Sequence, residues 1–227
     1  QLASLPGTDR DALRLVGALR NGGYPEENIV LVYDDAEDSK LRPTRANILA
    51  ALTAILGRAP AGSSLAVFAT GHGVALNKAS YLCPSDATDA ALSDPAKLIA
   101  IEEIAIQMSK SCKADHKLLV IDACRDTTND RTKDYVVNVA DLEQPAEGVW
   151  LMSSCSKGQF SWMSDRIRQG ERHALFSHFV AEGLEGAADL LGDNDGRVGL
   201  FELYSFAFVK TRGAAQEIKQ TQTPELF

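Results

Sequence analysis

A chain of 227 residues that is 45% hydrophobic and 24% charged has enough apolar material for one large, well-buried core. Its net charge of −8 and pI near 5.0 exclude a basic, nucleic-acid or anionic-membrane surface and suit basic partners instead. No apolar run reaches bilayer length, no signal-peptide pattern is present, and the scattered Cys83, Cys112, Cys124 and Cys155 form no CxxC pair, so a disulfide framework or zinc site is not expected and a reducing, cytoplasmic setting is.

The first predicted element is a helix from Thr8 to Arg20, with Leu13, Val16 and Leu19 on one face and Gly22-Gly23 closing it. Thr8 with Asp11 fits a capping pattern at its start. Ile29 to Tyr33 reads as a strand ending at Asp34-Asp35. After Pro43-Thr44, a second helix carries Ile48, Leu49, Leu52, Ile55 and Leu56 at helical spacing and stops at Gly57. Leu65 to Ala69 is a short interior strand, 74 to 96 is irregular, and a short helix occupies Ile101 to Met108. Leu118 to Ile121 is another interior strand; residues 125 to 133 are polar and turn-rich, an exposed loop. Val149 to Met152 makes a fourth strand ending at Ser153-Ser154, and helices over Ala174 to Leu184 and Leu200 to Val209 complete the chain. Strands alternating with helices predict an α/β domain with a largely parallel sheet covered on both faces.

Two clusters carry the chemistry. Ala69-Thr70-Gly71-His72-Gly73 and Ile121-Asp122-Ala123-Cys124-Arg125 each follow an interior strand. In open α/β sheets reactive groups sit just beyond the carboxyl ends of the strands, so two neighbouring strands can bring His72 beside Cys124. A lone thiol is mostly protonated at neutral pH and needs such a base; the alternative for Cys124 is a buried structural thiol. The glycines around His72 let the backbone approach a substrate closely. His116, His173 and His178 lie before a strand or near a helix and read as surface or core residues.

Further segments match a known pattern: Leu5-Pro6-Gly7 with Asp11-Ala12, Pro43-Thr44-Arg45-Ala46-Asn47-Ile48, Pro84-Ser85-Asp86, Ala174-Leu175-Phe176, Glu182 to Asp189, and Gln222-Thr223-Pro224. With the His72 and Cys124 clusters in order between them, the chain resembles the caspase-like cysteine peptidases, in the metacaspase and bacterial orthocaspase branch. The resemblance implies a three-layer sandwich with a mostly parallel central sheet and helices on both faces. It also implies one domain over 1–227, divided into a large catalytic segment (1–124), an exposed connecting segment (125–147) and a small segment (148–227). The family begins with a strand ahead of Leu5-Pro6-Gly7, and Gln1 starts after it, so the sheet is expected to be one strand short.

The resemblance makes Cys124 the nucleophile and His72 the general base and acid, with the N–H groups of Gly73 and Cys124 as oxyanion hole. Asp11 and Asp122 would line the pocket for the residue before the cut bond, with Thr70 and Ser153 also binding substrate. Two carboxylates in one desolvated pocket select arginine or lysine. The alternatives are a helix cap for Asp11 and a strand-end carboxylate satisfied by backbone for Asp122. Arg131 and Lys133 in the connecting loop are self-cleavage candidates. Calcium is not expected to be required: Asp86 matches one acid of the family's cluster, but Glu102-Glu103 replace an aspartate pair and Arg131 stands near another. Asp193-Asn194-Asp195-Gly196 with Glu202 repeats part of an EF-hand loop, but the first ligand position is Leu191, and the segment reads as a turn.

The expected function is therefore an endopeptidase cutting after Arg or Lys, acting as a monomer or weak oligomer on protein or peptide substrates with basic residues. The alternatives are a catalytically silent scaffold using the same cleft, and an Asp-specific caspase-type peptidase. A nucleotide-binding α/β domain ranks last, because no GxGxxG or Walker sequence follows the first strand.

Overall fold

A computed structural model of the chain describes residues 5, 7–77, 79–124, 146–168 and 171–227, with the backbone alone for Cys124 and Arg168. The strands are β1 (Ser64–Leu76), β2 (Ala79–Leu82), β3 (Ile99–Ala100), β4 (His116–Cys124), β5 (Trp150–Ser153), β6 (Met163–Arg168), β7 (Glu171–Ala174) and β8 (Glu225–Leu226). Six of them form one sheet in the order β3-β2-β1-β4-β5-β8, and β6 pairs with β7 in a separate hairpin. The central β1, β4 and β5 run parallel; β2, β3 and β8 are antiparallel additions at the flanks. The sheet is thus mixed, and the largely parallel character expected is confined to its centre.

The helices are α1 (Thr8–Asn21), α2 (Arg45–Arg58), α3 (Ile101–Ser111), α4 (Leu175–Glu182), α5 (Ala188–Leu191) and α6 (Leu200–Glu217). Apolar residues at every position of 118–121 are explained by cover on both sides of the sheet. Leu119 and Ile121 pack with Leu52 and Leu56 of α2 and Ile104 and Met108 of α3. Leu118 and Val120 pack with Leu15 of α1, Phe176 and Val180 of α4, and Leu203 and Ala207 of α6. This is the expected three-layer sandwich. No helix among the described residues is long and apolar enough to cross a membrane.

Several local expectations change. On α1 the buried face is Leu15, Val16 and Ala18 together with Asp11, while Leu13 is 47% exposed. The α1 cap is Gly7, not Thr8: the Thr8 hydroxyl donates to Leu5 O at 3.0 Å, and no side chain caps the helix. Among the described residues Ile29 to Tyr33 joins no ladder, and the Tyr33 N–H turns back to Leu41 O at 2.9 Å. The expected irregular stretch after residue 73 instead continues β1 and folds back at Asn77, with φ of 50°, into β2. Finally, α6 runs eight residues beyond Val209, because its buried stripe continues through Leu203, Ala207, Thr211 and Ala215 at intervals of four.

Leu119→Ala should lower the unfolding free energy by about 2–5 kcal/mol, as for a fully buried leucine, while Leu13→Ala should change it by less than about 0.5 kcal/mol. Urea unfolding of both variants checks the assignment; a larger loss at Leu13 would contradict it.

Candidate active site

The parallel register of β1 with β4 brings the two chemical clusters together. Thr70 pairs with Asp122, Gly71 with Ala123, and His72 with Cys124, so the backbones of the histidine and cysteine are direct neighbours where the parallel ladder ends, while β1 runs on to Leu76. On the other side of β4, Ser153 of β5 pairs with Ile121, and the Ser154 N–H donates to Ile121 O at 3.0 Å. His72 O accepts from the Cys83 N–H at 2.9 Å, which ties the histidine strand to the residue following β2. The Cys124 side chain lies outside the described residues, as do Arg131 and Lys133.

Asp122 is 1% exposed, and its carboxylate is held by internal donors. Oδ1 accepts from the Ser161 hydroxyl at 2.6 Å; Oδ2 accepts from the Ser177 N–H at 3.0 Å and its hydroxyl at 2.7 Å. Ser161 in turn accepts from Gln222 Nε2 at 3.1 Å, which also donates to Ser154 O at 3.0 Å, while Gln222 Oε1 accepts from the Trp162 N–H at 2.9 Å. The segment Gln222-Thr223-Pro224 therefore braces the loop between β5 and β6. A water-sized void of about 10 Å³ between α1, α4 and the sheet is lined by Leu15, Thr70, Val120, Asp122, Ser177 and Val180, among others. Thr70 Oγ1 is buried without a hydrogen-bond partner. The Ser153 hydroxyl is turned to Cys155 O at 3.2 Å.

Asp11 is fully buried, and its carboxylate turns away from the helix start that the capping pattern suggested. Oδ1 meets His173 Nδ1 at 2.6 Å and Oδ2 accepts from the Ala174 N–H at 2.9 Å. Burial pushes the Asp11 carboxyl up to about 6 against the lowering pull of His173 and the Ala174 N–H, and the charge of Asp122 adds to the rise. Two features set this position. Gly7, at φ of 107°, passes so close to β7 that a Cβ there would lie 2.1 Å from Arg172 O. Arg14, one turn beyond Asp11, grips Glu185 with Nε and Nη2 at 2.8 and 2.6 Å and reaches His178 with Nη1 at 3.0 Å.

The caspase-domain family matches residues 1–224. This chain belongs to that family. It is also 45% identical over 53 residues to Metacaspase-1A of Aspergillus oryzae (strain ATCC 42149 / RIB 40), a stretch covering 23% of this chain and 13% of that protein. The fold is that of a caspase-like domain.

Within this caspase domain two other cysteines, Cys83 and Cys155, differ in chemistry from a reactive thiol. Burial pushes the thiols of Cys83 and Cys155 up to about 12, so both stay protonated at neutral pH. The calcium candidate Asp86 is exposed, and its Oδ1 accepts from the Arg45 N–H at 2.9 Å at the start of α2. Among the described residues it joins Glu102 and Glu103 in no three-ligand cluster, and no catalytic step is routed through a metal there. Sequence reading missed Ser161, Ser177 and His173, the partners of the two buried acids. Ser161 and Ser177 carry no local signal, and His173 was read as a filler because Asp11 lies 162 positions away.

Proposed function

We propose that this domain is an endopeptidase cutting after Arg or Lys, with Cys124 as nucleophile and His72 as its base. The observation that carries this reading is the direct register of His72 with Cys124, with Asp122 and Asp11 buried beneath them. His72 takes the thiol proton, and the thiolate attacks the carbonyl carbon before the scissile bond. The N–H groups of Gly73 and Cys124 receive the developing oxyanion. The imidazolium returns its proton to the leaving amine, giving a thioester; His72 then activates the water that hydrolyses it and restores the thiol.

Specificity rests on two buried acids. Burial, with a smaller contribution from the charge of Asp122, holds the Asp11 carboxyl above its ordinary range. A guanidinium or ammonium entering there would pair with Asp11, whereas an aspartate side chain would add a further negative charge. On this reading a substrate arginine replaces His173 at Asp11 Oδ1.

Peptides ending in Arg or Lys at a fluorogenic bond should be cleaved at least about a hundredfold better than the Asp counterpart, since the pocket's charge works for one and against the other. Cys124→Ala and His72→Ala should remove turnover while leaving the fold intact. Efficient cleavage after Asp would overturn the pocket, and full turnover by Cys124→Ala would overturn the nucleophile. Absence of turnover with every peptide would favour the silent scaffold.

Asp11 also sets a pH dependence. Its proton is lost at about 6, so the pocket is fully charged above that pH and loses charge as pH falls through it. In Cys124→Ala protein, affinity for an arginine-ending peptide should fall about tenfold from pH 7 to pH 5, and Asp11→Asn should flatten that slope. Calorimetric titration at the two pH values decides; an unchanged slope in Asp11→Asn would remove Asp11 from the pocket.

A further inference from the structure

Three aspartates converge where the chain turns from α5 into α6. Oxygens of Asp189, Asp193 and Asp195 lie within 4.8 Å of one another. Asp189 is only 7% exposed, and its Oδ1 is buried with no hydrogen-bond partner. A carboxylate oxygen withdrawn from water and given no donor is costly unless a cation meets it. Each of the three carboxylates has one oxygen engaged by a loop N–H: Gly196 to Asp189 Oδ2 at 3.2 Å, Asp195 to Asp193 Oδ1 at 3.2 Å, and Arg197 to Asp195 Oδ1 at 2.9 Å. The second oxygen of each remains for another partner, and among the described residues no basic side chain pairs with any of them.

The partial EF-hand pattern is completed by the fold rather than by local spacing. Leu191 stands where the first ligand would be, and it is 75% exposed. Asp189, two residues earlier at the start of α5, brings its carboxylate to that place instead. The loop is closed onto α6 by Glu202, whose Oε1 accepts from the Asp193 N–H at 3.0 Å and Oε2 from the Gly199 N–H at 2.8 Å. Gly196, at φ of 85°, makes the turn between the aspartates and α6.

We propose that this corner is a calcium site, with Asp189, Asp193 and Asp195 as its carboxylate ligands and water completing the shell. Hard oxygen ligands, all anionic and partly open to solvent, suit calcium; zinc or copper would favour nitrogen or sulfur. The ion neutralises the buried Asp189 oxygen and joins α5 to the start of α6. None of its ligands belongs to the peptidase machinery, so the site stands independently of the proposed cleavage specificity.

Calorimetric titration of metal-stripped full chain with calcium chloride tests it, with sodium chloride at matched ionic strength as control. One saturable site is expected, with a dissociation constant on the order of 10⁻⁵–10⁻³ M, as for open carboxylate loops. Asp193→Asn and Asp195→Asn, both at exposed positions, should each weaken it at least about tenfold, by loss of one anionic ligand, while Asp86→Asn leaves it unchanged. No saturable calcium binding beyond the sodium control would overturn the proposal. So would wild-type affinity in both Asp193→Asn and Asp195→Asn.

Discussion

Nine consecutive residue pairs join β1 to β4 in parallel, from Ser64 with His116 to His72 with Cys124. A slip of one residue along this ladder would turn every side chain of one strand to the opposite layer. It would expose Leu119 and Ile121 to the wrong set of helices and part the histidine from the cysteine. The packing that fixes the register is strong on both faces: α2 and α3 hold one, α1, α4 and α6 the other. The placement of His72 beside Cys124 is therefore a by-product of core packing.

Near the end of the parallel ladder, the domain keeps two carboxylates out of water. Asp122 rests on two serine hydroxyls and one backbone N–H, and Asp11 on His173 and the Ala174 N–H. Hydrogen bonds from donors inside the fold offset part of the cost of burying these oxygens. Arg14, one turn from Asp11, is held by Glu185.

The interior strands and the amphipathic helices were legible because large apolar residues mark them in short local patterns. The order of the clusters also carried the family. What escaped reading was whatever depended on distant partners or small residues. The hairpin of β6 and β7 is built from Ser164, Asp165 and Arg166 among others, which look like loop. The second half of α6 buries Thr211 and Ala215 rather than leucines. Ile29 to Tyr33 has strand composition, yet a strand exists only where a neighbour offers its edge. His173 acquires its place only when β7 is laid against α1, 162 positions from Asp11 in the chain.

The account rests on Cys124 being the thiol activated by its register partner. Labelling with an arginyl acyloxymethyl ketone, followed by peptide mapping in a mass spectrometer, tests this most directly. The account predicts one adduct, on Cys124, greatly slowed in His72→Ala, with Cys83, Cys112 and Cys155 unlabelled. An adduct on Cys83 or Cys155, or labelling of Cys124 at the same rate without His72, would contradict it.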